Sequence, residues 1–178
     1  MTSWEFLGSE VLGSDGTHLH VHFDSAINFS DVQSFAIYVS ASLNQSPSFQ
    51  NADLRIGTGG VMKVGTDYEA YGLIIQNDGQ SLLNTSAGET AWRVETSNFG
   101  GTFFGLVYLT MNPLTNYPHM VMTIGSDNRQ PHVDRHMVMM SCGGFLNSAL
   151  TSLQDIEIKS GNNFMEESRM YVYKVLNS

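Results

Sequence analysis

Basic side chains are scarce in this 178-residue chain. Lys and Arg together number eight, and only Lys63, Lys159 and Lys174 are lysines. Phosphate backbones are held by clustered cations, so no nucleic-acid partner is expected. Seventeen acidic residues bring the net charge to −9, which disfavours an anionic bilayer surface. Charge of either sign is thin, at 14% of the chain, against about 25% in an average soluble domain. No apolar run approaches the ~18 residues of a membrane-spanning helix, so no membrane partner is expected. Cysteine occurs once, as Cys142, which excludes an intrachain disulfide. Gly143 and Gly144 follow it and no cysteine-enzyme signature surrounds it, so it reads as a small buried hydrophobe. Met1-Thr2-Ser3-Trp4-Glu5 lacks a basic and an apolar region, and no signal peptide is expected. The chain also lacks G-x-S-x-G, a P-loop, H-E-x-x-H and a nucleotide fingerprint. The expectation is a protein that is not an enzyme and carries no cofactor.

What is present is dense turn punctuation. Seventeen glycines include Gly59-Gly60, Gly100-Gly101 and Gly143-Gly144, with Asp15-Gly16 and Asp78-Gly79 as further turn pairs. Between them lie runs of β-branched, aromatic and Met side chains. That spacing predicts an all-β sandwich or barrel of about ten strands in one domain over 1–178. Strands are predicted near 4–12, 17–23, 34–42, 60–65, 70–76, 90–97, 102–111, 118–125, 135–142 and 152–158, with a last one at 168–176. Phe145–Leu150 is read as a single helical turn. Pro118–Thr123 echoes Arg135–Met140, which predicts two adjacent antiparallel strands joined by a long polar loop.

Two runs are apolar on both faces. They are Phe103-Phe104-Gly105-Leu106-Val107-Tyr108-Leu109 and Tyr71-Gly72-Leu73-Ile74-Ile75. In a two-layer sandwich such a strand needs a second cover, from a loop or another subunit. Phe103, Phe104, Leu106, Tyr108, Tyr71 and Ile74 are therefore the candidate interface residues, and an oligomer is expected.

In His18-Leu19-His20-Val21-His22-Phe23 the three imidazoles share one strand face, about 6.5–7 Å apart. One strand cannot close a metal site, but three copies around an axis would offer six imidazoles. His18, His20 and His22 are thus the metal candidates, and an ordinary solvated or interface face is the plainer alternative. His132-Val133-Asp134-Arg135-His136 is a second polar cluster in the predicted loop. Glu166 and Glu167 are adjacent, and adjacent carboxylates in an extended chain face opposite ways, which makes a poor acid–base pair. Tyr68, Tyr71, Trp92 and Tyr117 are the aromatics that could stack on sugar rings.

The C-terminal third carries a further pattern. Ala149-Leu150-Thr151-Ser152-Leu153-Gln154-Asp155-Ile156-Glu157-Ile158 is followed by Ser160-Gly161-Asn162-Asn163-Phe164, then by Ser168-Arg169-Met170-Tyr171-Val172-Tyr173-Lys174-Val175. It resembles the ending of bacteriophage virion proteins built on a jelly-roll-like β-sandwich. Two positions depart from it: Glu167 and Lys174 stand where that pattern has glycine. The resemblance implies a jelly-roll-like antiparallel β-sandwich and a homotrimeric virion protein, and the lone thiol fits assembly in the bacterial cytoplasm. It implies a capsid decoration (cement) protein meeting the major capsid protein, or a fibre or tail tip that recognises a host surface glycan.

Overall fold

The computed structural model describes residues 3–44, 50–76, 81–97, 101–112, 114–128 and 136–176. The chain is all-β and antiparallel. Among the described residues there are thirteen strands: β1 Ser3–Val11, β2 Gly16–Asn28, β3 Ser34–Leu43, β4 Gln50–Thr58, β5 Val61–Met62, β6 Tyr68–Gln76, β7 Ser81–Glu89, β8 Trp92–Ser97, β9 Gly101–Met111, β10 Pro118–Asn128, β11 His136–Leu146, β12 Ser152–Phe164 and β13 Arg169–Leu176. A short 3₁₀ turn, Phe29–Asp31, leads into β3.

The strands form one continuous sheet that curls until two leaves face each other. The first leaf runs β1-β13-β3-β9-β10-β11-β6-β7. In the second, β12 lies between β2 and β4, and the far edge of β4 is shared by β8 and β5. β12 joins the leaves where Phe164 pairs with Leu43.

Period-2 alternation decides what lies between the leaves. Leu19, Val21 and Phe23 of β2, with Leu54, Ile56, Ile156 and Ile158, face inward from the second leaf. Phe35, Ile37, Val39, Val107, Leu109, Met120, Met122, Ile124 and Val172 meet them from the first, in one cluster. Such burial, worth roughly 1.5–3 kcal/mol per large apolar side chain, is the main force closing the sheet. Met120 and Met122 from the echoed segment are core residues. The echo itself pairs as expected, from His119 opposite Phe145 to Asn128 opposite His136.

Several expectations change. Phe145 and Leu146 close β11, and a bend follows in place of a helical turn. The predicted 60–65 strand shrinks to Val61–Met62, because Gly59 and Gly60, both at positive φ (65° and 75°), form the two-residue turn of a β4–β5 hairpin. β4 and β7 are additional strands. In β4, Ala52, Leu54 and Ile56 are buried and alternate with Asp53 and Arg55, a period masked by the Asn, Asp and Gly around it. β7, SLLNTSAGE, has adjacent leucines followed by small and polar residues, with no period-2 alternation to mark it.

The two departures from the virion pattern are also resolved. Lys174 extends from β13 to Glu5 of β1 at 2.9 Å. Glu167 sits at φ 69°, in the left-handed region where glycine costs least, within the turn that connects β12 to β13. That turn is pinned by Glu167 N–H to Leu12 O (2.9 Å) and Ser168 N–H to Met165 O (3.1 Å). Replacing Glu167 with Gly is expected to stabilise the fold by about 1 kcal/mol. Chemical denaturation would read this as a higher midpoint at unchanged slope, and a lower midpoint would contradict it.

Candidate functional site

The outer face of the first leaf is built by the same alternation that fills the core. Tyr171 and Tyr173 of β13 pair with Tyr38 and Ala36 of β3. Tyr38 and Ala36 in turn pair with Leu106 and Tyr108 of β9, and Ser40 with Phe104. Tyr108 pairs with Val121 of β10, and Phe104 with Gly125. Val121 pairs with Gly143 of β11, which pairs with Tyr71 of β6. On the other flank Trp4 and Phe6 of β1 lie against Val175 and Tyr173. One surface spanning seven strands therefore carries an aromatic and aliphatic band. Phe104, Val121, Tyr71, Trp4 and Phe6 remain about half exposed on it, at 48–56%.

The rings hold one another in place. Trp4 meets Tyr108 edge-on at 6.2 Å and Tyr173 at 5.8 Å. Phe6 meets Tyr173 at 5.6 Å, and Tyr38 meets Tyr171 at 6.3 Å. The Phe104 ring lies over Gly125, 3.3 Å from where a Cβ would stand, so an aromatic covers a strand glycine. The Tyr71 hydroxyl donates to Glu69 Oε2 at 3.2 Å, and that bond raises its pKa.

Of the expected interface residues, Phe104, Leu106, Tyr108 and Tyr71 share this face. Phe103 does not: it points the other way, fully buried beside Phe164, and no partner reaches it. The backbone of Ile74 pairs with Met140, and its side chain lies outside the described residues. Tyr68 and Trp92, read as sugar-stacking candidates, are core residues packed edge-to-face at 4.9 Å. Burial pushes the Tyr68 hydroxyl up to about 12. Tyr117 is half-buried in the connection before β10.

The opposite outer surface, on the second leaf, is titratable. His18, His20 and His22 do share a face, and it lies beside Asp155 and Glu157 of β12. His22 Nδ1 lies 2.7 Å and His20 Nε2 3.2 Å from Asp155 Oδ1. His18 Nδ1 lies 2.6 Å from Glu157 Oε1, and Arg55 approaches the other oxygen of Glu157 at 3.8 Å. The His20 backbone N–H donates to the Glu10 carboxylate. Asp155 is fully buried beneath imidazoles that are 42% and 49% exposed, and its second oxygen accepts the Gly60 N–H at 2.9 Å. Burial alone would raise the Asp155 pKa, but the bonds from His22, Gly60 and His20 outweigh it and hold the group below its usual value. The histidines thus meet cross-strand carboxylates, one of which, Asp155, also fastens the Gly59-Gly60 turn beside Gln154, whose Oε1 accepts the Gly59 N–H at 3.0 Å. Among the described residues no three His, Cys, Asp or Glu side chains are grouped so as to hold a metal ion. His132 and Asp134 lie outside the described residues, as does the side chain of His136.

Sequence reasoning passed over Trp4, Phe6, Tyr38, Tyr171 and Tyr173. The signal was period-2 aromatics in β1 and β13, which becomes a surface only once the register is known.

No family model and no curated protein matches the chain. Among solved structures, it is similar to the CBM2 module of the evolved Dit of Lactobacillus casei BL23 phage J-1. The identity is 7%, the match covers 93% of this chain and 76% of that chain, and the TM-score is 0.30. At that distance the likeness says nothing about ligand or partner.

Proposed function

We propose that the chain is a bacteriophage virion structural protein, a homotrimeric capsid decoration (cement) protein on the particle surface, with no catalytic activity of its own. The observation that carries this reading is the apolar band left half-exposed on the first leaf by Phe104, Val121 and Tyr71. Contiguous exposed apolar surface marks contact sites. Seven strands at ~4.8 Å spacing make the band about 29 Å wide, the breadth of a protein contact. Its apolar and hydroxyl groups let sister copies meet without stripping water from many ions. The resemblance of Ala149–Val175 to virion-protein endings supplies the virion setting, with the major capsid protein as the second partner and assembly in the bacterial cytoplasm.

A second reading, a receptor-binding tip on a tail or head fibre that recognises a host glycan, is favoured by half-exposed Trp4 at the flank of the same face. Imaging purified particles with the chain labelled separates the two. Label coating the head is the expected result. Label confined to a tail or fibre end would replace the decoration reading with the second one.

A further inference from the structure

At the β1 flank of the aromatic face, Trp4, Gln33, Ser34, Tyr108, Thr110 and Val175 frame an open depression of about 510 Å³. We infer that this depression binds one or two rings of a neutral, hexose-type glycan. The inference deepens the second of the readings above and rests on it, because a contact between copies over all seven strands would cover Trp4.

The stacking surface is Trp4. Trp4 is 48% exposed, and its indole is braced on two sides, edge-on against Tyr108 (6.2 Å, 87°) and tilted against Tyr173 (5.8 Å). A ring held before the ligand arrives loses little freedom on binding. Pyranose rings present a face of C–H groups that covers an indole, with hydroxyls projecting around the rim. Those hydroxyls need polar partners, and the lining supplies them. Gln33 is exposed, and its amide offers two donors and an acceptor. Ser34 adds a hydroxyl. The Thr110 hydroxyl donates to the Gln33 carbonyl at 3.2 Å, which leaves its lone pairs to accept. Buried Val175 forms an apolar floor.

Charge selects the ligand class. None of the lining side chains is ionic, and the whole chain is at −9, so nothing here would hold a uronate or a sialate. The volume falls in the ~300–1,000 Å³ range of small-ligand sites, and the open shape lets a longer chain run out over the sheet. A second depression, about 430 Å³ and lined by Phe29, Met111 and Asn116 among others, does not share this character. Its aromatic ring, Phe29, is buried and offers no stacking face.

The test is an array of neutral and acidic oligosaccharides, followed by titration of the best neutral hit with tryptophan fluorescence as the readout. The chain has two tryptophans, Trp4 half-exposed and Trp92 buried. Sugar binding is expected to shield Trp4 from acrylamide quenching and leave Trp92 emission unchanged. Trp4→Ala should weaken binding about tenfold or more with far-UV circular dichroism unchanged. Gln33→Ala, at an exposed site outside the aromatic pairs, should weaken it less and keep the fold. No binding to neutral glycans, binding restricted to acidic ones, or full binding by folded Trp4→Ala would each overturn the inference. Light scattering on the same samples keeps failure of glycan binding separate from failure of assembly.

Discussion

Trp92→Ala is expected to lower the unfolding free energy by about 3–5 kcal/mol, the cost of emptying a large core site. Trp92 is fully buried and stands perpendicular to Tyr68, at 89° and 4.9 Å. Its indole N–H donates to the Glu69 carbonyl at 3.2 Å, so truncation also strands a carbonyl next to Gly144. β8 supplies Trp92 and Val94 to the core, and the tryptophan is what packs it against β6 and β11 across the two leaves. Equilibrium denaturation in urea would read the loss as a lower midpoint at nearly unchanged slope. A loss under about 1 kcal/mol would mean that the site collapses around the gap or that the ring is not buried. The result also bears on function, because any glycan binding lost in this variant would be lost through the fold.

Asp155→Ala should cost about 1.5–3 kcal/mol, chiefly from losing the charge-assisted bond that the Gly60 N–H donates to the carboxylate. His20 and His22 are half-exposed and can return to water, which limits the penalty. The pH dependence is the sharper readout. Asp155 is held below its ordinary value of 3.8 in the folded chain. Its contribution is therefore present above 3.8 and is lost as pH falls through the depressed folded value. Asp53 works in the opposite sense. Burial raises its pKa despite Arg93 and Arg55, so it gains relative stability as it protonates on acidification. Wild-type stability should fall on acidification below about pH 4, and Asp155→Asn should flatten that limb. An unchanged acid limb in Asp155→Asn would show that the Asp155 carboxylate does not carry this linkage.

Much of the fold is legible because it depends on period and punctuation alone. Leu19, Val21 and Phe23 must face one way and His18, His20 and His22 the other, whatever they pair with. Gly59-Gly60 reads as a turn or bulge and forms a turn, whereas Gly143-Gly144, read beside it as a turn pair, lies inside β11 opposite Val121 and Met120. The β10–β11 pair could be read from its repeated His-Met-Val-Met. What could not be read is register between distant segments. Asp155 meets His22 across 133 positions, and no local signal in β2 names that partner. Hindsight offers a hint, since Asp155 and Glu157 alternate with Ile156 and Ile158 as the histidines alternate with Leu19 and Val21. The aromatic face failed for the same reason. Phe103 and Phe104 are equally apolar, and local sequence does not say which of them faces the core. In the observed register Phe103, Val107 and Leu109 face inward with Gly105, where a Cβ would meet the Thr123 carbonyl and Ile124 of β10, so that register requires glycine at 105.

Light scattering on the free protein at micromolar concentration tests the central claim, that this outer face is a contact between copies, most directly. The expected mass is about 59 kDa, three times the 19.6 kDa chain. Val121→Asp, on an exposed site in the middle of the band, should reduce it to 19.6 kDa with the unfolding midpoint of the monomer intact. A wild-type protein that runs as a stable 19.6 kDa monomer, or a trimer indifferent to Val121→Asp, would contradict it.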